Sequence, residues 1–290
     1  MTVTSPEPAL RDYVDELTDS RRWAVFQPRE GDIVVSTPPK SGTTWTQGIL
    51  AMLIAADPLV DAQTSMKSPW IDISFRDITE VMGRLDAQDH RRQVKTHTPF
   101  DGIPFWPQLR YITVYRHPID VHLSYRKHVA NMSFDFATGF YPDDLSEGFR
   151  FFLEGDHIDA VSLDSILTHY RETLAREPRE NILRLHYADM IRDLPSAVSR
   201  IANHVGIDLP EALTSAITHA ATFDSMKANA HRFTPSAGQE FWRSDAEFFN
   251  TATSNKWEGK LTPDDLAAYD ARLAAALSAE DRRWLEWGNA

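Results

Sequence analysis

Three short segments carry side chains whose types and spacing suit the handling of a negatively charged group. The first is Thr37-Pro38-Pro39-Lys40-Ser41-Gly42-Thr43-Thr44-Trp45, between a β-branched run and a helical pattern. A helix N-terminus offers unpaired N–H groups and a partial positive charge, so it binds anions. Gly42 lets the backbone turn sharply toward a ligand. Ser41, Thr43 and Thr44 add hydroxyls and Lys40 a full charge. The second segment runs from Arg116 to Ser124 (RHPIDVHLS). Arg116 closes a strand and Ser124 lies two turns into the following helix, so both converge on one anion, with forked donors from the guanidinium. The third is Lys95-Thr96-His97-Thr98-Pro99. A histidine at the carboxyl end of a parallel strand titrates near neutrality and accepts a proton from an attacking hydroxyl. A structural histidine fits the same position.

Other chemistries fit less well. A nucleotidase P-loop needs G-x-x-x-x-G-K-[ST], whereas the order here is Lys40-Ser41-Gly42 without the upstream glycine. The strand Tyr111 to Tyr115 leads into Arg116, not into an acid that would hold Mg²⁺. His117, His122 and His128 match no metal-ligand spacing and read as solvated helix positions. Asp120 reads as a structural acid near a helix start.

The run Pro39-Lys40-Ser41-Gly42-Thr43-Thr44-Trp45 resembles the 5′-phosphosulfate loop of sulfotransferases that use 3′-phosphoadenosine 5′-phosphosulfate (PAPS). Arg116 to Ser124 resembles that family's 3′-phosphate motif, with His117 in place of the usual Asn or Asp. Lys95-Thr96-His97-Thr98-Pro99 is similar to its catalytic segment. The resemblance implies that His97 is the general base and that Lys95 helps neutralise the sulfuryl group. It implies further that Lys40 contacts the donor's phosphate and bridging oxygen, and that Ser41, Gly42, Thr43 and Thr44 cradle the 5′-phosphate. Trp45 then packs on adenine, and Ser124 holds Lys40 off the bridge until acceptor binds. Tyr187, in Leu185 to Met190, resembles a residue near the adenine; Thr222, Phe223 and Met226 resemble nucleotide-lining positions. The family's late R-K-G-x-x-G-D-W loop survives only as Phe248, Phe249 and Trp257, with Lys256 at the acidic position. Arg116 and Ser124 should therefore carry most of the 3′-phosphate recognition.

The implied reaction moves a sulfuryl group from PAPS to a hydroxyl or amine and releases adenosine 3′,5′-bisphosphate (PAP), with no metal required. The implied partner is a small phenolic, steroid-like or lipid acceptor, as in bacterial aryl or glycolipid sulfotransferases, with oligomerisation left open. Its walls are expected from Ser68-Pro69-Trp70-Ile71, from Phe100 to Trp106, and from Phe134, Phe136, Phe140 and Tyr141. Two other classes remain: an Mg²⁺-dependent P-loop-like kinase, and a nucleotide-binding protein without catalysis.

The elements needed to position these groups follow from local pattern. Asp32 to Thr37, Gln93 to His97, Tyr111 to Tyr115 and Ile182 to Tyr187 read as strands. Helices are expected over Thr43 to Ala56, Pro118 to Ala130 and Pro195 to Val205, with another ending near Glu177. Strands alternating with helices predict one α/β domain over 1–290, its motif-bearing core about 30–265. Its central, mostly parallel sheet is flanked by helices and carries a P-loop-like strand–loop–helix phosphate site. Ala228 to Asn255 has little periodicity and reads as a long surface loop. The chain has 290 residues, no cysteine, and 42 acidic against 30 basic residues for a formal charge of -12. That excludes thiolate chemistry and disfavours a nucleic-acid groove. No stretch approaches a membrane span and the N-terminus lacks a secretion signal, so a cytoplasmic, non-membrane protein is expected.

Overall fold

The computed structural model describes residues 5–133, 142–155, 162–237, 240–249, 253–255 and 257–289. Four parallel strands, β1 (Ile33–Ser36), β2 (Gln93–Thr96), β3 (Arg110–Tyr115) and β4 (Ile182–His186), form one sheet in the order β2-β1-β3-β4. β1 is central, pairing Ser36 with Thr96 on one side and Val35 with Ile112 on the other. β3 pairs Tyr115 with His186. The register brings Ser36, Thr96, Tyr115 and His186 to one edge, so the segments that follow them leave together at the carboxyl ends of the strands.

The β-branched runs are buried because helices and loops cover both faces, as parallel sheets require. Alternate residues serve opposite faces. Ile33, Val35, Ile112 and Val114 pack with α1 (Thr43–Ala55) and with the helix Leu194–Val205. Val34, Val94 and Tyr111 point the other way, into Trp23, Phe26, Phe100 and Phe105. A third cluster joins Tyr115 and Ile119 to Phe149, Phe152, Ile166 and Tyr170. These layers make a single α/β domain, as expected, with strand and helix limits within one or two residues of the expected ones.

Three local expectations are corrected. Phe100, Ile103, Phe105 and Trp106 are core residues, at most 4% exposed, because an aromatic group under Tyr111 absorbs them. They form no acceptor wall. His117 and His122 are buried rather than solvated. His117 Nδ1 accepts from Ile119 N at 3.3 Å and caps the helix Pro118–Ala130. The segment expected as a surface loop holds a helical turn, Ala230–Phe233, and a 3₁₀ turn, Ala246–Phe248, and its Phe233 and Trp242 are buried. Trp242 Nε1 donates to Pro235 O, and Met132 pairs with Trp242 in an isolated bridge. Non-local packing orders it where periodicity could not.

Candidate active site

The turn between β1 and α1 departs from ordinary backbone at two positions. Lys40 has φ 62° and Gly42 φ 121°. Gly42 is also the cap residue of α1, and no side chain caps that helix. The first turn of a 13-residue helix therefore keeps its N–H groups available to an anion. Ser41 is 1% exposed, and its Oγ has no hydrogen-bond partner among the described residues. A buried unpaired hydroxyl is costly, and one beside an uncapped helix start suits a phosphate oxygen. Thr43 is engaged, its Oγ1 2.6 Å from Thr37 Oγ1, which ties the turn shut.

Arg116 follows β3 on the same edge. It is 5% exposed; Nη2 donates to Thr253 O at 3.2 Å, Nη1 lies 3.4 Å from Lys40 O, and Nε has no partner among the described residues. Its guanidinium stacks 4.3 Å from the Tyr187 ring centroid, and Tyr187 meets Trp45 edge-on at 5.4 Å. Trp45 is fixed by Nε1 donating to Ala221 O at 2.8 Å. Thr222 caps the helix Phe223–Ala228, from which Phe223 and Met226 reach the cavity described below. Unpaired donors and a shelf of aromatic rings fit a nucleotide carrying phosphates. Asn250, Thr251 and Lys256 of the late loop lie outside the described residues, as do Phe134, Phe136, Phe140 and Tyr141.

His97 follows β2. Its Nδ1 lies 2.7 Å from Thr37 O, so Nδ1 carries the hydrogen and Nε2 is left as the acceptor. Burial, then the positive charges of Lys95 and Lys40, hold its pKa well below the usual histidine value. Its imidazole is thus neutral at physiological pH. Trp70 packs edge-on against His97 at 4.9 Å, and Lys95 Nζ lies 4.3 Å from the Trp70 ring centre.

One cavity of about 560 Å³ joins these groups. Lys40, Gly42, Thr43, Thr44, Trp45, Lys95, His97, Arg116, Ser124, Tyr187, Phe223 and Met226 line it. Ser41 and Thr222 do not line it, but each is next in the chain to a residue that does, Gly42 and Phe223. Of the expected acceptor residues, Ser68, Pro69 and Trp70 line it and Ile71 is buried in the core. Among the described residues no group of three His, Asp or Glu side chains is placed to hold a metal. No described helix is long and apolar enough to cross a membrane.

Two positioning groups escaped the sequence reading. Asp72 Oδ2 accepts from Thr96 Oγ1 at 2.5 Å, Thr98 Oγ1 at 2.7 Å and Trp23 Nε1 at 2.9 Å. One buried carboxylate, its pKa raised by burial, thus pins both neighbours of His97. The available signal was an acid inside the apolar run Trp70-Ile71-Asp72-Ile73. His128 Nδ1 accepts from Lys40 Nζ at 2.9 Å, four residues after Ser124 and so on the same helix face. It is half-buried, its ring packed on Trp242 and Phe248, and desolvation with Lys40 keeps it neutral. Lys40 is thus held at least by His128.

A family model described as "Sulfotransferase domain" matches residues 30–280. A "Glycolipid sulfotransferase" of Mycobacterium bovis (strain BCG / Pasteur 1173P2) is 31% identical, covering 95% of this chain and 94% of that protein. The "Sulfotransferase 1 family member D1" of Rattus norvegicus is 28% identical over 82% of this chain and 80% of its own. Among solved structures, mouse sulfotransferase SULT7A1 complexed with PAP superposes with a TM-score of 0.72 at 23% identity, covering 93% of this chain and 94% of that one. Its likeness concerns the fold.

Proposed function

The chain belongs to the sulfotransferase family, and from that premise we propose that it moves a sulfuryl group from PAPS to a hydroxyl of a small, largely apolar acceptor. The observation that carries this reading is the continuity of one cavity from the uncapped start of α1, through the unpaired donors of Ser41 and Arg116, to a neutral histidine. PAP in the complexed mouse relative supports PAPS as donor. The name of the mycobacterial relative, a glycolipid sulfotransferase, supports an acceptor with a lipid part over a peptide.

In this reading the α1 N-terminus, Ser41, Thr43 and Thr44 hold the 5′-phosphate. Arg116 and Ser124 take the 3′-phosphate, and Trp45, Tyr187, Phe223 and Met226, with Thr222 next to Phe223 in the chain, enclose the base. The acceptor enters past Trp70. Its oxygen attacks sulfur while its proton passes to His97 Nε2, and the bond from sulfur to the bridging oxygen breaks, leaving PAP. The bridging oxygen gains charge, which Lys40 stabilises after exchanging His128 for it. Lys95 balances charge on the sulfuryl oxygens. As in phosphoryl transfer through a loose transition state, positioning and charge stabilisation account for most of the rate.

The test is thermal unfolding with nucleotides. PAP should raise the melting temperature and EDTA should leave that rise unchanged. Stabilisation by ATP that requires Mg²⁺, with none by PAP, would transfer the protein to the kinase class.

A further inference from the structure

The cavity extends beyond the reacting end. From Trp70, against His97, the chain runs through Ile73 and Phe75 to Arg76, and all four line the same space. Leu17 and Val81 complete this apolar stretch. At its far end Arg76 is half-buried and desolvated, and among the described residues it forms no ion pair within 4.0 Å, although the charges of Arg84 and Glu80 act on it from farther off. Among those residues its one side-chain hydrogen bond, Nη2 to Ser236 Oγ, is long at 3.4 Å. The nearby Arg84, which also lines the cavity, is paired with Glu80. Glu16 lines the cavity too, but forms no ion pair with Arg76 within 4.0 Å. Arg22 donates to the backbone carbonyl of Arg76 at 2.5 Å, which fixes the main chain independently of the side chain. A guanidinium lining a mostly apolar cavity with no acid in ion-pair contact is a site for an anion, since charge-assisted forked bonds to carboxylate or sulfate are strong.

We propose that Arg76 recognises an anionic group on the acceptor, remote from the hydroxyl that is sulfated. The acceptor class is then an elongated amphiphile: a hydroxyl at His97, an apolar body along Ile73 and Phe75, and a carboxylate or an acidic ester at Arg76. Arg76 lies six positions after Trp70, so the two backbone positions are at most ~20 Å apart, and the acceptor must fit that reach. This inference rests on the sulfotransferase reading for the end at which the hydroxyl binds.

The experiment is titration calorimetry on PAP-loaded full-length protein with 10-hydroxydecanoate and with 1,10-decanediol, which differ in the one charge. The carboxylate should bind about tenfold or more tightly in the wild type. Arg76→Ala should bring the two ligands within about threefold by weakening the carboxylate alone, while Arg76→Lys, which keeps the charge, should retain part of the preference. An unchanged melting temperature for both variants checks the fold. Equal binding of the two ligands by the wild type, binding of neither, or a preference that survives Arg76→Ala overturns the proposal. An Arg76-dependent preference in a protein that ignores PAP would refute the PAPS reading and leave this one standing. PAP binding without that preference would do the reverse.

Discussion

The pH dependence of turnover tests the most specific electrostatic feature of the site. An ordinary histidine, with a pKa near 6.5, is about one-quarter neutral at pH 6.0 and almost wholly neutral at pH 8.0, so a base of that kind would lose activity about fourfold across the interval. His97 is not ordinary. It is 7% exposed, and burial with the adjoining charges of Lys95 and Lys40 lowers its pKa well below 6.5, against only the Thr37 carbonyl bond acting the other way. Its neutral, proton-accepting form therefore persists throughout. With saturating PAPS and an aliphatic alcohol, whose own hydroxyl does not titrate in this range, kcat should stay constant within about 1.5-fold from pH 6.0 to 8.0. Circular dichroism at each pH shows that the protein remains folded.

His97→Ala should lower kcat by about 10²–10⁴-fold and leave PAP affinity within about twofold, since the base acts in the chemical step alone. A fourfold acid limb centred near 6.5 in the wild type would refute the burial argument. Retention of most turnover by His97→Ala would refute the role.

Three further outcomes follow from the same geometry. Arg116→Ala should weaken PAP by about tenfold or more, because a charged hydrogen bond contributes about 1.5–3 kcal/mol; adenosine 5′-monophosphate should bind nearly as before. Equal losses for both ligands in calorimetry would mean that Arg116 supports the fold or the 5′ site. Gly42→Ala should destabilise by about 1–3 kcal/mol in urea unfolding, since the residue has φ +121° and a Cβ would meet the Tyr187 ring at 3.3 Å; a neutral result would show that the turn relaxes. Acid should unfold the protein early. Burial holds His97, His117, His122, His169 and His186 below their unfolded pKa values. Their contribution is present above pH 6.5 and is lost as pH falls, because only the unfolded chain then takes up protons. These five groups alone, without His128 and His204, whose pKa values burial also lowers, give a slope of at most about 7 kcal/mol per pH unit. Against a stability of about 5–15 kcal/mol, that places the midpoint near pH 4.5–5.5. Full native circular dichroism at pH 4 would contradict it.

The parts of the fold and site that were legible are those fixed by neighbours in the chain. β-branched runs ended by proline mark β1 and β2, Pro118 marks a helix start, and Lys40 to Trp45 names its own chemistry through glycine, hydroxyls and a helix N-terminus. The parts that were not legible depend on what another segment supplies. Phe100 to Trp106 looks like a binding wall until Tyr111, Trp23 and Phe26 close over it. His122 looks solvated on a helix until Phe149 and Phe152 pack on it. The described part of 228–255 lacks periodicity because its contacts come from Thr64 and Met132, far off in the chain.

His97 lies between these cases. Nothing within Lys95-Thr96-His97-Thr98-Pro99 says which ring nitrogen carries the proton, and without that the histidine is as well structural as catalytic. The answer comes from strand register. Because Ser36 pairs with Thr96, the next residue on each strand, Thr37 and His97, must also be adjacent, and the Thr37 carbonyl is available to take the Nδ1 hydrogen. Thr37 also opens the turn that leads into α1. One parallel pairing therefore sets the tautomer of His97 and its place beside the Lys40–Gly42 turn at once. A shift of one residue would turn His97 to the opposite face of the sheet and separate the two functions. The catalytic reading of His97 is thus a consequence of register, recoverable in principle from the two strands together and from neither alone.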